Sequence, residues 1–553
     1  MSSDAATLVQ EYESLKSERG NWENMWQDIA ELMIPRRADF TNRYRAPGEQ
    51  RRDRIYESTA VRALVRGASG LHNTLTSSTV PWFALETEDR ELMKNRQVQL
   101  WLEDATRRCN SVFNAPRSMF HQSAHEYYLD LLAFGTGCMY VTQEPGMGPV
   151  FKSYFLGHTY IAENKTGMID SVYRRFDDTA RSLYKQFGNK LPDEIVKAAD
   201  KEPFRRFELL HIVRPRSNAP GGRTSKQKPF LSVYVHPESR KTVQEGGFDE
   251  MPYIVSRWQK NSMEVYGRGP GIEALPDVRM INEMERVGLI ALQKVVDPPL
   301  LVPDDGFLSP IRTTPGGLNY YRAGLGPQDR IAPLQTGGRV DLNEAKIGQV
   351  RAAIDRTFYL DLLELPGPTA ADGDVLRFSA TEIAARQRDR LNILGPIVAR
   401  QEAEFLGPLV IRTLSVMLRS QMLPPPPQVL LDADFKVAYS NPVAIAQRSG
   451  ELASISQLIQ FLVPFAQLDP TVIQRFQTGR VAELAAEILK VSPSVFKSTE
   501  EMMQEQQAEA AQAAQQQELV QANAIAEQQN LISMSRRNES VATLNEARAQ
   551  QSA

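Results

Sequence analysis

Cysteine is nearly missing from these 553 residues: Cys109 and Cys138 are the only two. That is too few for a disulfide framework or a thiolate zinc site, and both read as small buried hydrophobes. Also missing is any apolar run near the ~20 residues a membrane span needs. The opening "MSSDAATLVQEYESLKSERG" is too acidic and polar for a secretory signal, so a cytosolic protein is expected. A basic excess is lacking too. The formal net charge is -3, which argues against a protein that grips DNA by neutralising phosphates.

Catalytic signatures are equally sparse. No GxxxxGK[ST] phosphate loop occurs, which excludes a P-loop motor, and neither HExxH nor GxSxG appears. His121 and His125 lie four apart with Glu126 beside them, a spacing that could present two imidazoles to a metal; without a further ligand implied by spacing, packing outweighs it. "GRGPG" at Gly267 to Gly271 has its third glycine misplaced for a dinucleotide loop and opens a long helix instead. No cofactor is expected.

What is present is helix. Residues 3 to 35 read as one amphipathic helix, followed by an arginine-rich loop. Between Arg36 and Arg66, nine arginines stand against four acidic residues, interleaved with Phe40, Tyr44 and Tyr56. Phosphate contact, a solvated face and a protein contact all fit that composition. Helical patterns recur over Glu57 to Ser78, Glu91 to Asn114 and Met119 to Phe134. From Cys138 to Ser256 short β-branched and aromatic runs point to an α+β region with a mixed or antiparallel sheet, interrupted by one helix at Asp178 to Phe187.

Two longer rods follow. Gly271 to Asp297 predict a helix of ~40 Å, and Asp341 to Leu363 one of ~34 Å, at 1.5 Å per residue. Between them, residues 298 to 340 hold seven prolines and seven glycines in 43 positions, so a compact turn-rich tip is expected and the rods form an antiparallel hairpin. A proline-broken loop, "LPGPTAADGDVLRFSATE", comes next. It ends in a capping box, Ser379 with Glu382, flanked by the staple pair Phe378 and Ile383. The helix after it carries two Gly-Pro steps, at 395–396 and 407–408, that should break its hydrogen-bond ladder twice. Arg386 and Arg390 share a face of that helix, with ion pairing the favoured use. A proline hinge and one short strand within "MLPPPPQVLLDADFKVAYSNPVAIAQR", then helices over 444 to 466 and 480 to 491, complete the pattern. From Glu501 to Asn530, eighteen of thirty residues are Gln or Ala, which indicates a solvated helix or a disordered tail.

The run "FSATEIAARQRDRLNILGPIVARQEAEFLGPLVIR" and the shorter "YSNPVAIAQR" at Tyr439 to Arg448, set behind the hairpin and its tip, resemble the portal (head-to-tail connector) proteins of short-tailed tailed bacteriophages. That resemblance implies a mainly α fold with an α+β wing domain and a dodecameric ring at one capsid vertex, through which double-stranded DNA is packed and ejected. It implies residues 1–266 as wing (α+β from about 138), 267–297 and 341–363 as stem helices, and 298–340 as the clip. Residues 364–378 become a tunnel loop, 379–431 a bent wing helix, 432–500 a helical crown or barrel, and 501–553 a tail. The tunnel-loop candidates are Pro366, Asp372, Asp374 and Arg377. Lys294, Lys346 and Arg351 are candidates for facing the channel, and Arg312, Arg322, Arg330 and Arg339 are basic clip candidates.

The partners implied are copies of the chain itself, DNA, terminase and tail adaptors at the clip, and major capsid and scaffolding or internal core proteins, with no membrane. The location implied is the virion, after assembly in the host cytoplasm. A tail or ejection-channel adaptor without a DNA channel is the competing reading. An enzyme acting on DNA is the third, weakened by the missing motifs.

Overall fold

The computed structural model describes residues 4–37, 40–41, 55–89, 91–144, 146, 148–216, 224–296, 300–301, 332–333, 340–363, 393–430, 435–439, 515–516, 521, 523 and 525–545. The chain separates into two compact units, 1–474 and 475–553. Helix predominates among the described residues, with an α+β region between residues 136 and 257.

Two helices open the chain where one was expected. α1 (Ala5–Glu18) is capped by Asp4, whose carboxylate accepts the Ala6 N–H, and α2 (Gly20–Met33) starts after a break at Arg19. The break has a packing cause: the two helices serve different cores. Leu8, Val9 and Tyr12 of α1 cover one face of a sheet, while Trp26, Ile29 and Met33 of α2 enter the main core. Arg19 anchors the joint, donating to the carbonyls of Leu156, Gly157 and Thr159 at 2.8–3.0 Å.

α3 (Thr59–Leu75), α4 (Arg96–Asn114) and α5 (Phe120–Phe134) follow close to their expected bounds. Asn95 caps α4 by accepting the Gln97 N–H at 2.9 Å. α5 is the centre of the main core, with every residue from Tyr127 to Phe134 buried. A strand not anticipated from the sequence, β1 (Phe83–Thr87), sits between α3 and α4.

The α+β region is antiparallel throughout. β2 (Thr136–Glu144), β3 (Gly148–Ser153) and β9 (Tyr253–Arg257) form a sheet in the order β3-β2-β9. β4 (Thr159–Glu163), β5 (Ile169–Thr179), β6 (Arg206–Pro215), β7 (Phe230–His236) and β8 (Lys241–Phe248) form a second sheet in sequence order. The two-residue period divides its faces. Tyr173, Ile212 and Val233 are in register and meet α1, whereas Arg174, His211 and Tyr234, also in register, point the other way. Two helices, not one, interrupt this sheet: α6 (Ala180–Phe187) and α7 (Asp193–Lys201). Both pack Leu183, Phe187, Ile195 and Ala198 on Phe207, Leu209 and Val243. The charged "DEIVKAADK" has only Ile195 and Ala198 fully buried, too thin a stripe to announce a helix.

α8 (Pro270–Val296) and α9 (Val340–Thr357) are the two rods, and their far ends are tied by the antiparallel pair β10 (Leu300–Leu301) and β11 (Ala332–Pro333). The second rod is shorter than expected. It breaks at Tyr359, which takes a left-handed backbone (φ 57°), and restarts as α10 (Leu360–Leu363). Residues 393–401 are helical and continue through a wide turn, Glu402–Leu406, into Gly407–Arg419; together these make α11. β12 (Phe435–Tyr439) pairs with β1.

The expected double break of α11 is corrected to one accommodation. Pro408 cannot donate an N–H and its ring crowds the carbonyl four residues back. The helix widens into a π-turn just before it, with the Gly407 N–H bonded to the Glu402 carbonyl. At Gly395-Pro396 residues 393–401 stay helical. In the second unit residues 525–545 form a helix whose side chains are exposed. The helices expected over 444–466 and 480–491 lie outside the described residues.

Candidate functional site: an anchored hairpin and the joint behind it

The root of the hairpin is set by close backbone approach. Gly135 ends α5 with φ 78°, and a Cβ on Gly269 would stand 2.8 Å from the Leu131 carbonyl oxygen and 2.9 Å from the Gly135 Cα. The "GRGPG" glycines therefore let α8 begin against α5, a packing role. From there Ala274, Leu275, Val278 and Ile281 bury the first half of α8 in the main core. α9 presents Ile347, Val350, Ile354 and Phe358 at three- and four-residue spacing. Arg351 bridges the rods, bonding Glu285 at 2.8 Å and lying 3.3 Å from Glu57.

The outer half of α8 is different. Val287, Leu289, Ile290, Leu292, Val295 and Val296 are all exposed, Val296 at 78%. Solvated helix ends are usually polar. A run of exposed aliphatic side chains on one helix is the kind of surface that interaction sites use.

Behind the root, α10 and α11 are each held to the core. α10 lies on α3, where Leu363 Cβ would be 2.8 Å from a Cβ added at Gly70. α11 is locked by a buried charge network. Arg257, 1% exposed, uses all five guanidinium N–H donors: two reach Glu404, and the others reach Glu163 and the carbonyls of Gly167 and Val265. Its backbone N–H also donates to Glu404 at 2.9 Å. Gln401 donates to the Arg257 carbonyl and accepts from Ser256, which in turn meets the Tyr127 hydroxyl. The π-turn is closed by Tyr439, whose hydroxyl donates to the Glu402 carbonyl at 2.9 Å. A Cβ at Gly407 would sit 3.1 Å from that hydroxyl, so glycine keeps the approach open. Glu402 of the first run and Tyr439, the first residue of the second, thus meet at this joint.

The remaining candidates fall as follows. Lys294 and Lys346 are exposed on α8 and α9, whereas Arg351 is engaged by the two carboxylates named above. Pro366, Asp372, Asp374, Arg377, Ser379, Glu382, Arg312, Arg322, Arg330 and Arg339 lie outside the described residues. His121 and His125 do not converge on a metal. His121 bonds His72 at 3.1 Å and Asn114 at 2.9 Å, His125 meets Ser69 at 3.3 Å, and burial followed by the two neighbouring imidazoles holds His72 down at about 4. No cluster of three or more His, Cys, Asp or Glu suited to a metal occurs among the described residues. Glu126 instead faces Arg37 of the arginine-rich stretch, which also lies 3.3 Å from buried Asp130. For Arg37 the use is a protein contact. Cys109 and Cys138 are buried free thiols, pushed up to about 12 by burial. The Arg257 network escaped sequence reading because its ends are 147 residues apart and no spacing links them.

No helix among the described residues is long and apolar enough to cross a membrane. Among the described residues the site is a hairpin rooted in the main core, with exposed aliphatic side chains along the outer half of α8. The family described as bacteriophage head to tail connecting protein matches residues 5–496. The chain belongs to that family, which is structural and not enzymatic. It is 30% identical over 523 residues to the "Probable portal protein" of Bordetella phage BPP-1, covering 92% of each chain. It is also 30% identical over 518 residues to the "Portal protein" of Salmonella phage epsilon15, again covering 92% of each. The structure titled "Virion of native gene transfer agent (GTA) particle" overlaps 72% of this chain and 85% of its own, at 13% identity and a TM-score of 0.34, too loosely to bear on the fold.

Proposed function

We infer that this chain is the subunit of a portal ring at one vertex of a bacteriophage capsid, forming the channel for genome packaging and ejection and joining head to tail. The observation that carries this is the 30% identity to two phage portal proteins along 92% of all three chains. The hairpin supports it independently. Its aliphatic flank on α8 is what a protomer leaves open when copies cover one another, and repetition of one heterologous contact closes a ring when the rotation fits.

In this reading residues 1–266 are the wing, α8 and α9 the stem, and 298–340 the clip that receives terminase during packaging and tail adaptors afterwards. Residues 364–378 form the tunnel loop, 379–431 the bent wing helix, 432–500 the crown or barrel facing capsid and internal proteins, and 501–553 the tail. Twelve copies make the ring. Near-neutral charge suits a conduit, since each phosphate neutralised adds grip that would slow DNA. Lys294 and Lys346 are left as weak, exposed charges on the stem, while Arg351 braces the hairpin from within. The adaptor reading gains no support from relatives that are both named as portal proteins.

The test is particle assembly without the chain. Phage carrying a nonsense codon early in this reading frame are expected to make tailless heads that contain no DNA. Tailed, DNA-filled heads from the same infection would overturn the proposal.

A further inference from the structure

The histidine pair noted in the sequence is rearranged by the fold. His121 does not join His125, four residues on, but His72 of α3, and the two rings meet where α3 packs on α5. His72 Nε2 stands 3.1 Å from His121 Nδ1, with the ring planes at 61° and both side chains half-buried. The other nitrogen of His121 is turned to the side-chain oxygen of Asn114, at the end of α4, at 2.9 Å. That oxygen can only accept, so the neutral ring carries its proton on Nε2 and shows the Nδ1 lone pair to His72.

Two ring nitrogens this close can share a proton, with His72 Nε2–H donating to His121 Nδ1. They can also share a metal ion, once the His72 proton has moved to its own Nδ1. Imidazoles bind metals at ~2.0–2.1 Å, which sets two neighbouring ligand nitrogens about 2.9–3.4 Å apart. The observed span falls inside that range. Three further features suit a metal. Ligation needs unprotonated rings, and burial holds both below ordinary histidine, His72 at about 4. Asn114 fixes the tautomer of His121, the part played by a hydrogen-bonded oxygen behind a ligating imidazole. Among the described residues the charges that act on either ring are other imidazoles, with no arginine or lysine to repel an incoming cation.

The donor set selects the metal. Two imidazoles suit zinc, nickel or copper, whereas calcium and magnesium take oxygen ligands. No third His, Cys, Asp or Glu joins the pair among the described residues, and His125 is bonded to Ser69 instead. Water from the half-exposed side fills the remaining positions. We propose that His72 Nε2 and His121 Nδ1 together chelate one divalent transition-metal ion, Zn2+, Ni2+ or Cu2+, and so fasten α3 to α5. The inference is independent of the portal reading.

The experiment is titration of the full chain, first stripped with EDTA, with ZnCl2 followed by calorimetry and thermal melting, and with CuCl2 followed by electron paramagnetic resonance. Saturable binding at a single site per chain is expected, with a Tm that rises with Zn2+ and returns with EDTA. The first equivalent of Cu2+ is expected to show hyperfine splitting from a pair of imidazole nitrogens. His72→Gln, His121→Gln and Asn114→Ala are each expected to weaken Zn2+ binding about tenfold or more, the scale on which even orienting partners act, while His125→Gln leaves it unchanged. No saturable binding, binding undiminished by His72→Gln, or copper held by a single imidazole would overturn the proposal. The copper spectrum is read on the unaltered chain, so it decides the question even if a variant fails to fold.

Discussion

Asp130 lies fully buried on α5 with Arg37 3.3 Å away, and neither carboxylate oxygen has a hydrogen bond among the described residues. Burial drives its carboxyl up to about 6, with Arg37 pulling the other way. Because the unfolded group titrates near 4, the ionisation penalty is absent below about pH 4 and complete above about pH 6. Asp130→Asn should therefore raise Tm at pH 7.5, by the equivalent of ~1–3 kcal/mol, with the gain shrinking as pH falls from 6 to 4. Thermal melts across that range check it. Glu404 is the contrasting carboxylate, held by several bonds from Arg257. Glu404→Ala leaves a buried guanidinium half-paired and should cost about 3–5 kcal/mol in denaturant unfolding. Neither behaviour is legible in the sequence. Asp130 sits in "YYLDLLAF", where the apolar neighbours hint at burial, but its counter-charge comes from a different segment.

At the scale of elements, periodicity made α3, α4 and α8 readable because each buries a stripe at helical spacing, whereas α5 is buried all round from Tyr127 to Phe134. Where one helix serves two cores, as at Arg19, the stripe continues and hides the break. β1 was hidden for another reason: its ladder partner is β12, from the far end of the first unit, so no local hairpin signal exists. The Gly-Pro steps were read as stress on the ladder, and the outcome at Pro408 is a π-turn whose Glu402 carbonyl accepts both the Gly407 N–H and the hydroxyl of Tyr439, which lies in a different run. Two predictions belong here. Leu292→Asp, on the exposed flank of α8, should change protomer stability by no more than ~0.5 kcal/mol while abolishing ring assembly in sedimentation velocity. Deleting Pro366 to Asp374 should leave rings intact, because α10 and α11 are each anchored on the core, and impair DNA packaging or retention in particles; soluble monomers after deletion would make that segment a structural joint.

For the whole molecule, the order of helical body, α+β region and hairpin was accessible from composition and spacing, and the portal resemblance rested on two runs covering about a tenth of the chain. The relation to phage portal proteins along 92% of the sequence extends that resemblance far beyond those runs. The physical reason for assembly is local: a helix with Val287, Leu289, Ile290, Leu292, Val295 and Val296 exposed is incomplete until a neighbour covers it. The most direct measurement is cryo-electron microscopy of the purified, assembled full chain. Closed rings are predicted, with α8 and α9 lining a channel that admits a B-form duplex and the aliphatic flank of α8 buried between neighbours. Monomers under every assembly condition, open filaments, or rings in which that flank faces solvent would contradict the account.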